Sequence, residues 1–166
     1  MTTDIDDLNK CLRGELSAVE TYRQALDKAR DDDRFGAEVQ QLSRILEDHR
    51  NAVSRLRSII AQMGGTPSED SGAWGAWSKT VMGAAKLFGD TAALKALKEG
   101  EESGLKDYQN VTGGGNAPAA LRSDIAALVS KNQEHISTLD RLMAAVAEPH
   151  RATMAGTRTD SAGARR

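Results

Sequence analysis

Gly14-Glu15-Leu16-Ser17-Ala18-Val19-Glu20-Thr21-Tyr22 is the stretch whose reading decides the fold. Followed outward in both directions, its inward series runs Leu8, Leu12, Glu15, Val19, Tyr22, Leu26. Steps of four and three residues alternate along that series, which is one face of an α-helix in a bundle. Glu15 lies inside the apolar stripe, whereas Glu20 lies off it. A carboxylate in an apolar seam must be paired, protonated or bound to a metal.

The stretch occurs twice. Shifted by 86 residues, Gly14-Glu15 becomes Gly100-Glu101, and Tyr22 becomes Tyr108. The same shift carries Asp48-His49 to Glu134-His135 and Arg55-Leu56 to Arg141-Leu142. A constant offset that keeps chemically special residues in step indicates an internal duplication.

Four long helices account for most of the chain. The first is expected from about Asp4 to Arg30, capped by Thr3, with Asp4, Asp6 and Asp7 at the positive end of its dipole. Asp31-Asp32-Asp33 and Gly36 mark a turn. The second helix then runs to about Met63 with the stripe Val39, Leu42, Leu46, His49, Val53, Leu56, Ile60, Met63. Gly64-Gly65-Thr66-Pro67 is a stop signal, with Gly just past the end and Pro soon after. Thr66 to Gly72 reads as polar loop. Trp74, Trp77, Val81, Ala84 and Phe88 outline a short amphipathic helix packed on the bundle. Asp90 caps a third helix from Thr91 to about Val111, with the stripe Leu94, Leu97, Glu101, Leu105, Tyr108, Val111. Gly113 to Asn116 is a flexible loop without the Lys-Ser/Thr of a phosphate cradle. Pro118 suits the first turn of the fourth helix. Its stripe is Leu121, Ile125, Leu128, Asn132, His135, Leu139, Leu142, Val146, and Pro149 is expected to close it.

Composition agrees with an all-α chain. Strong helix formers dominate and aromatic residues make up only 4%. The formal net charge of −2 gives no general attraction to nucleic acid or to an anionic membrane, so neither is expected as a partner. The single cysteine, Cys11, reads as a small buried hydrophobe. The acidic start has no signal-peptide core and no apolar run is long enough to span a bilayer, so a cytoplasmic protein is expected. The expected organisation is one bundle over residues 1–149. A disordered basic tail follows over 150–166, where Arg151, Arg158, Arg165 and Arg166 face one Asp160.

All four stripes carry one ionisable residue: Glu15, His49, Glu101 and His135. Measured from the first turn, Glu15 and His49 differ by roughly 3 Å in height and can meet. For Glu101 and His135 to level, the glycine loop must climb along the bundle axis. Two Glu and two His converging among helices suit Fe, Mn or Zn as ligands. Tyr22 and Tyr108 sit one heptad beyond each Glu, too far for the same first shell but able to reach a ligand on a neighbouring helix. Asn132 faces the same layer. The alternative is metal-free, with buried Glu–His bonds specifying register. On the metal reading, His49→Ala removes binding at little cost to the empty bundle, since Ala suits helices.

Glu followed seven residues later by Tyr on helices 1 and 3, with His on helices 2 and 4, resembles the ferritin-like superfamily. With Gly-Gly-x-Pro after helix 2 and the tryptophan-bearing connection, the layout from about Asp4 to Glu148 resembles a bacterial family of duplicated ferritin-like proteins without an assigned function. The resemblance implies an antiparallel four-helix bundle with a long crossover between helices 2 and 3. It also suggests a homodimer as the assembly, since ferritin-like bundles often pair. Di-iron members place Glu-x-x-His on two helices. Here Leu46 and Asn132 stand three residues before the two His, and Glu47 and Glu134 fall off the stripes. One ion or none is therefore expected, with a role in metal handling or redox stress. A structural or interaction bundle is the alternative, and a rubrerythrin-like oxidase or peroxidase is the reading that the missing carboxylates weaken.

Overall fold

In the computed structural model the described residues are 2–29, 36–72, 91–113 and 118–156. They form four helices and, among them, no strand: α1 (Thr2–Ala29), α2 (Gly36–Gln62), α3 (Thr91–Gly113) and α4 (Ala119–Gly156). α1 packs on α2, α3 on α4, and α1 on α3, with a thinner contact between α2 and α4. None of these helices is long and apolar enough to cross a membrane. The short helix expected over Trp74 to Phe88 lies outside the described residues, as does the stretch after Gly156.

The end of α2 follows the expected stop signal in detail. Gly64 takes the left-handed conformation (φ 78°) that a side chain resists. Its N–H bonds the Ala61 carbonyl at 3.0 Å, and the Gly65 N–H bonds the Ile60 carbonyl at 2.9 Å. That pair is the Schellman cap, which satisfies carbonyls the helix itself cannot. Gly65 is required for a second reason: a Cβ there would lie 2.7 Å from Ile5 Cγ2. The chain then returns along α1, clamped by Asn9. Its Nδ2 donates to the Thr66 carbonyl at 3.0 Å, and its Oδ1 accepts from the Ser68 N–H at 2.7 Å.

At the far end the chain departs from expectation. α4 continues through Pro149 to Gly156. Proline deletes one intrahelical hydrogen bond and crowds the carbonyl four residues back, which bends a helix without necessarily ending it. Arg151, Ala152, Met154 and Ala155 are helix formers that allow propagation beyond it.

The core is layered. One apolar cluster gathers Leu8, Leu12, Leu56, Ile60, Tyr108 and Ile125. A second gathers Tyr22, Leu26, Leu42, Leu94, Leu97 and Leu139. Each draws on all four helices, and each buried leucine contributes roughly 1.5–3 kcal/mol. Between the clusters lies a buried polar layer of Glu15, His49, Glu101, Asn132 and His135. Cys11 is buried as a small apolar residue, and burial raises its thiol pKa.

Candidate metal centre

The heptad phase that points Leu8, Leu12 and Leu26 inward also points Glu15 inward, and the same holds for His49, Glu101 and His135 in their own stripes. The structure brings all four together. His49 lies between the two carboxylates, with Nδ1 2.6 Å from Glu15 Oε2 and Nε2 2.9 Å from Glu101 Oε1. His135 Nδ1 lies 3.3 Å from Glu101 Oε2. The glycine loop thus does not prevent the second Glu–His pair from meeting.

Both tyrosines reach across. Tyr22 donates its hydroxyl to Glu101 Oε1 at 2.7 Å, and Tyr108 donates to Glu15 Oε1 at 2.6 Å. Residues 86 positions apart thus make matching contacts, each tyrosine holding the carboxylate that stands on the other helix. Asn132 Nδ2 donates to Glu101 Oε2 at 2.8 Å. Glu101 consequently receives four side-chain contacts, enough to occupy all its acceptor directions.

Symmetry breaks at two places. Position 46 is Leu where position 132 is Asn, so Glu15 has no amide partner equivalent to that of Glu101. The outer nitrogen of His135 turns to Asp48, with Nε2 3.2 Å from Oδ2, whereas His49 Nε2 faces Glu101. Asp48 is the residue that sequence reasoning missed. Its repeat equivalent, Glu134, turns instead to Lys131 at 3.0 Å. The signal was its place beside His49 in the repeat, but an edge position on α2 does not say which helix it faces. Buried Asp107 was also missed; it pairs with Lys10 across α1 and α3 at 2.7 Å.

Charges follow from these contacts. Burial opposes protonation of His49, but the two carboxylates and their hydrogen bonds outweigh it and raise its pKa well above 6.5. Burial alone would raise Glu101, yet the charge of His49 and the bonds from both His lower it below 4.5. Tyr22 and Tyr108 are raised by burial and then by the carboxylates they serve, so both remain protonated donors. The metal-free layer is thus an imidazolium held between two carboxylates.

This arrangement has a pH signature. A raised His49 stabilises the fold fully below its unfolded value of 6.5, and that contribution is lost as pH rises through the folded value. A lowered Glu101 contributes fully above 4.5 and is lost as pH falls. The metal-free protein is therefore expected to be most stable between these two values, with a melting temperature that declines over the alkaline interval that begins near pH 6.5. A melting temperature that rises over that interval in chelator-treated protein would contradict the imidazolium assignment.

Among the described residues, His49, Glu101 and His135 offer donor atoms that all lie within 4.8 Å of one another. Glu15 stands outside this group and backs His49 from the other ring nitrogen. The donor set fits a transition ion on chemical grounds. Two imidazoles and a carboxylate are donors that a transition ion accepts. Each imidazole is also backed on its other nitrogen by a carboxylate, Glu15 for His49 and Asp48 for His135, which is the usual way metal-bound histidines are oriented.

Comparison with known families gives a match over residues 3–113 to a family described as a domain of unknown function, DUF2383. The chain belongs to the DUF2383 family. The DUF2383 match contains Glu15, His49, Glu101 and both tyrosines, and it ends with α3, before Asn132 and His135 on α4. No curated protein and no solved structure matches the chain.

Proposed function

We propose that the chain is a ferritin-like, antiparallel four-helix bundle that holds one transition-metal ion, Fe, Mn or Zn, and acts in metal handling or redox-stress chemistry. The observation that carries this is the convergence of His49, Glu101 and His135 in a buried layer.

The layering supports the topology. One apolar cluster joins the start of α1 and the end of α2 to the end of α3 and the start of α4. The other cluster joins the opposite ends. On this reading α1 opposes α2, α3 opposes α4, and α2 and α3, diagonal to each other, run in the same direction. The end of α2 and the start of α3 then lie at opposite ends of the bundle, about 40 Å apart for the 27 residues of α2.

A bound ion supplies Lewis acidity or redox capacity at the centre. The chain's own residues hold it and manage its protons. Glu15 fixes the His49 ring through Nδ1 and leaves Nε2 to the centre. Tyr22 and Asn132 hold Glu101 on both oxygens and set the direction of its lone pairs. Binding must displace the proton that the carboxylates keep on His49, so affinity is expected to weaken as pH falls. The expected result is about one ion per chain and release of about one proton per ion. Metal analysis of protein purified without chelator gives the first. Calorimetric titration in two buffers of different ionisation enthalpy gives the second. Protein that emerges metal-free and takes up none of the added divalent ions would end this reading.

One observation favours a second reading. Every acceptor direction of Glu101 already meets a side-chain donor. A metal-free polar layer that specifies helix register would look the same, and buried polar groups are known to serve that purpose. The metal analysis separates the two. The oxidase or peroxidase alternative requires bridging carboxylates, and positions 46 and 132 hold Leu and Asn.

A further inference from the structure

We infer that Asp48 is the transfer residue through which a divalent cation passes from solvent to the His49–Glu101–His135 centre, along the groove between α2 and α4. This rests on the metal reading above and adds the route and the residue that controls it.

The two sides of the polar layer are unequal. Between α1 and α3 the site borders a cavity of about 30 Å³, walled by Gly14, Gly100 and Gly104. That is room for about one water molecule. Between α2 and α4, where the helices pack most thinly, two cavities of about 490 and 380 Å³ share Asp48, Lys131 and His135. The smaller of these also reaches Glu15, His49 and Asn132. The groove therefore leads from solvent to the imidazoles.

Asp48 stands at the step between the two environments. Its side chain is 31% exposed, while that of His135, 3.2 Å away, is 6% exposed. A cation that leaves bulk water at this point meets a carboxylate before it meets the imidazoles, and Glu101 lies beyond them. Asp48 thus offers a carboxylate at the first step of desolvation and Glu101 one at the last, which lowers the barrier to crossing between cavity walls that also carry Arg44, Arg55 and Arg141. Lys131 opposes the passage. Its Nζ lies 3.7 Å from Asp48 Oδ2 and 3.0 Å from Glu134 Oε2, on a half-exposed and flexible stem. It is a counter-charge that an arriving cation must displace. The other half of the repeat has no such device, because Glu134 faces Lys131 and not His49.

A transfer residue and a ligand are distinguished by rate against stoichiometry. Slower uptake marks the route, while the hydrogen bond between His135 and Asp48 contributes separately to the affinity. Cobalt(II) is the probe, mixed rapidly with metal-free full-length protein, with the ligand-field absorption of the bound ion as readout. Asp48→Asn is expected to slow uptake by about tenfold or more, within the range of electrostatic steering in a cleft. Its end-point stoichiometry at saturating cobalt should match the wild type, its dissociation constant should rise with loss of the carboxylate behind His135, and Asp48→Glu should restore most of the uptake rate. Lys131→Met should accelerate uptake. Ala127→Trp, at an exposed position on the groove wall, should slow uptake without touching any charge.

Cobalt uptake by Asp48→Asn at the wild-type rate, or an unchanged rate with Ala127→Trp, overturns the route while leaving the metal centre intact. Loss of cobalt stoichiometry in Asp48→Asn even at saturating cobalt overturns it too, by making Asp48 a ligand. Failure of the wild type to bind cobalt at all overturns the metal reading and the route together.

Discussion

Replacing His49 by alanine is expected to destabilise the metal-free protein by about 3–5 kcal/mol, the cost of removing one partner from a buried ion cluster. From helix propensity alone the substitution looked mild, because Ala suits a helix better than His. The contacts reverse that expectation. His49 is the cation that bridges Glu15 and Glu101, at 2.6 and 2.9 Å, with every group in the layer almost wholly buried. Without it two carboxylates face each other across a space too apolar to solvate them. They must protonate, admit water or pull the helices apart. For a chain of this size the expected loss corresponds to a melting temperature lower by roughly 10 °C. Urea unfolding of chelator-treated protein provides the measurement. Adding Glu15→Gln to His49→Ala should recover part of the loss, since it removes one of the stranded charges and the two sites are coupled. A loss under about 1 kcal/mol would show that the layer carries no net ionic interaction.

The double substitution Leu46→Glu with Asn132→Glu is expected to raise metal capacity from about one ion per chain toward two. Both positions lie one helical turn before a site histidine and are equivalent under the 86-residue repeat. Both are buried, Leu46 among the apolar cluster of Tyr22, Leu42 and Leu97, and Asn132 against Glu101. A carboxylate at each would rebuild Glu-x-x-His on two helices, the arrangement that lets carboxylates bridge paired ions. The effect on the empty protein should be severe. Leu46→Glu buries a new charge and loses leucine packing, while Asn132→Glu removes the amide that holds Glu101 and adds a like charge beside it. A destabilisation of several kcal/mol without metal is expected, largely recovered when two ions bind. Metal content by mass spectrometry, with and without added iron or manganese, decides the matter. Two tightly held ions in the wild type would show that Leu46 and Asn132 do not limit the site.

Much of this protein is written in local pattern. Periodicity alone placed Glu15, His49, Glu101 and His135 in their stripes, because an α-helix assigns each residue a face without reference to its neighbours. The stop signal at Gly64-Gly65 was equally local, since a cap is built from the chain within a few residues of it. The 86-residue correspondence was legible because the same residue types recur at the same spacing. The reach of Tyr22 and Tyr108 to a neighbouring helix followed from one further fact: a heptad carries a residue too far along its own helix to touch the Glu it follows.

Other features depended on which helices become neighbours and at what height. That Tyr22 serves Glu101 and Tyr108 serves Glu15 is a relation across α1 and α3, two helices separated by most of the chain. That Asp48, at the edge of its stripe, reaches His135 depends on how closely α2 and α4 approach. Glu15 looked equivalent to Glu101, yet its Oε2 is taken by the outer nitrogen of His49, so it backs the donor group instead of joining it. α4 passes Pro149 although a proline usually marks a boundary. The sequence by itself determined the helices, their inward faces and the ionisable residues of the layer, because these are properties of a single helix. Tertiary structure alone decided the pairing within the layer and its opening toward solvent, because hydrogen-bond partners are selected by the axial offset between packed helices.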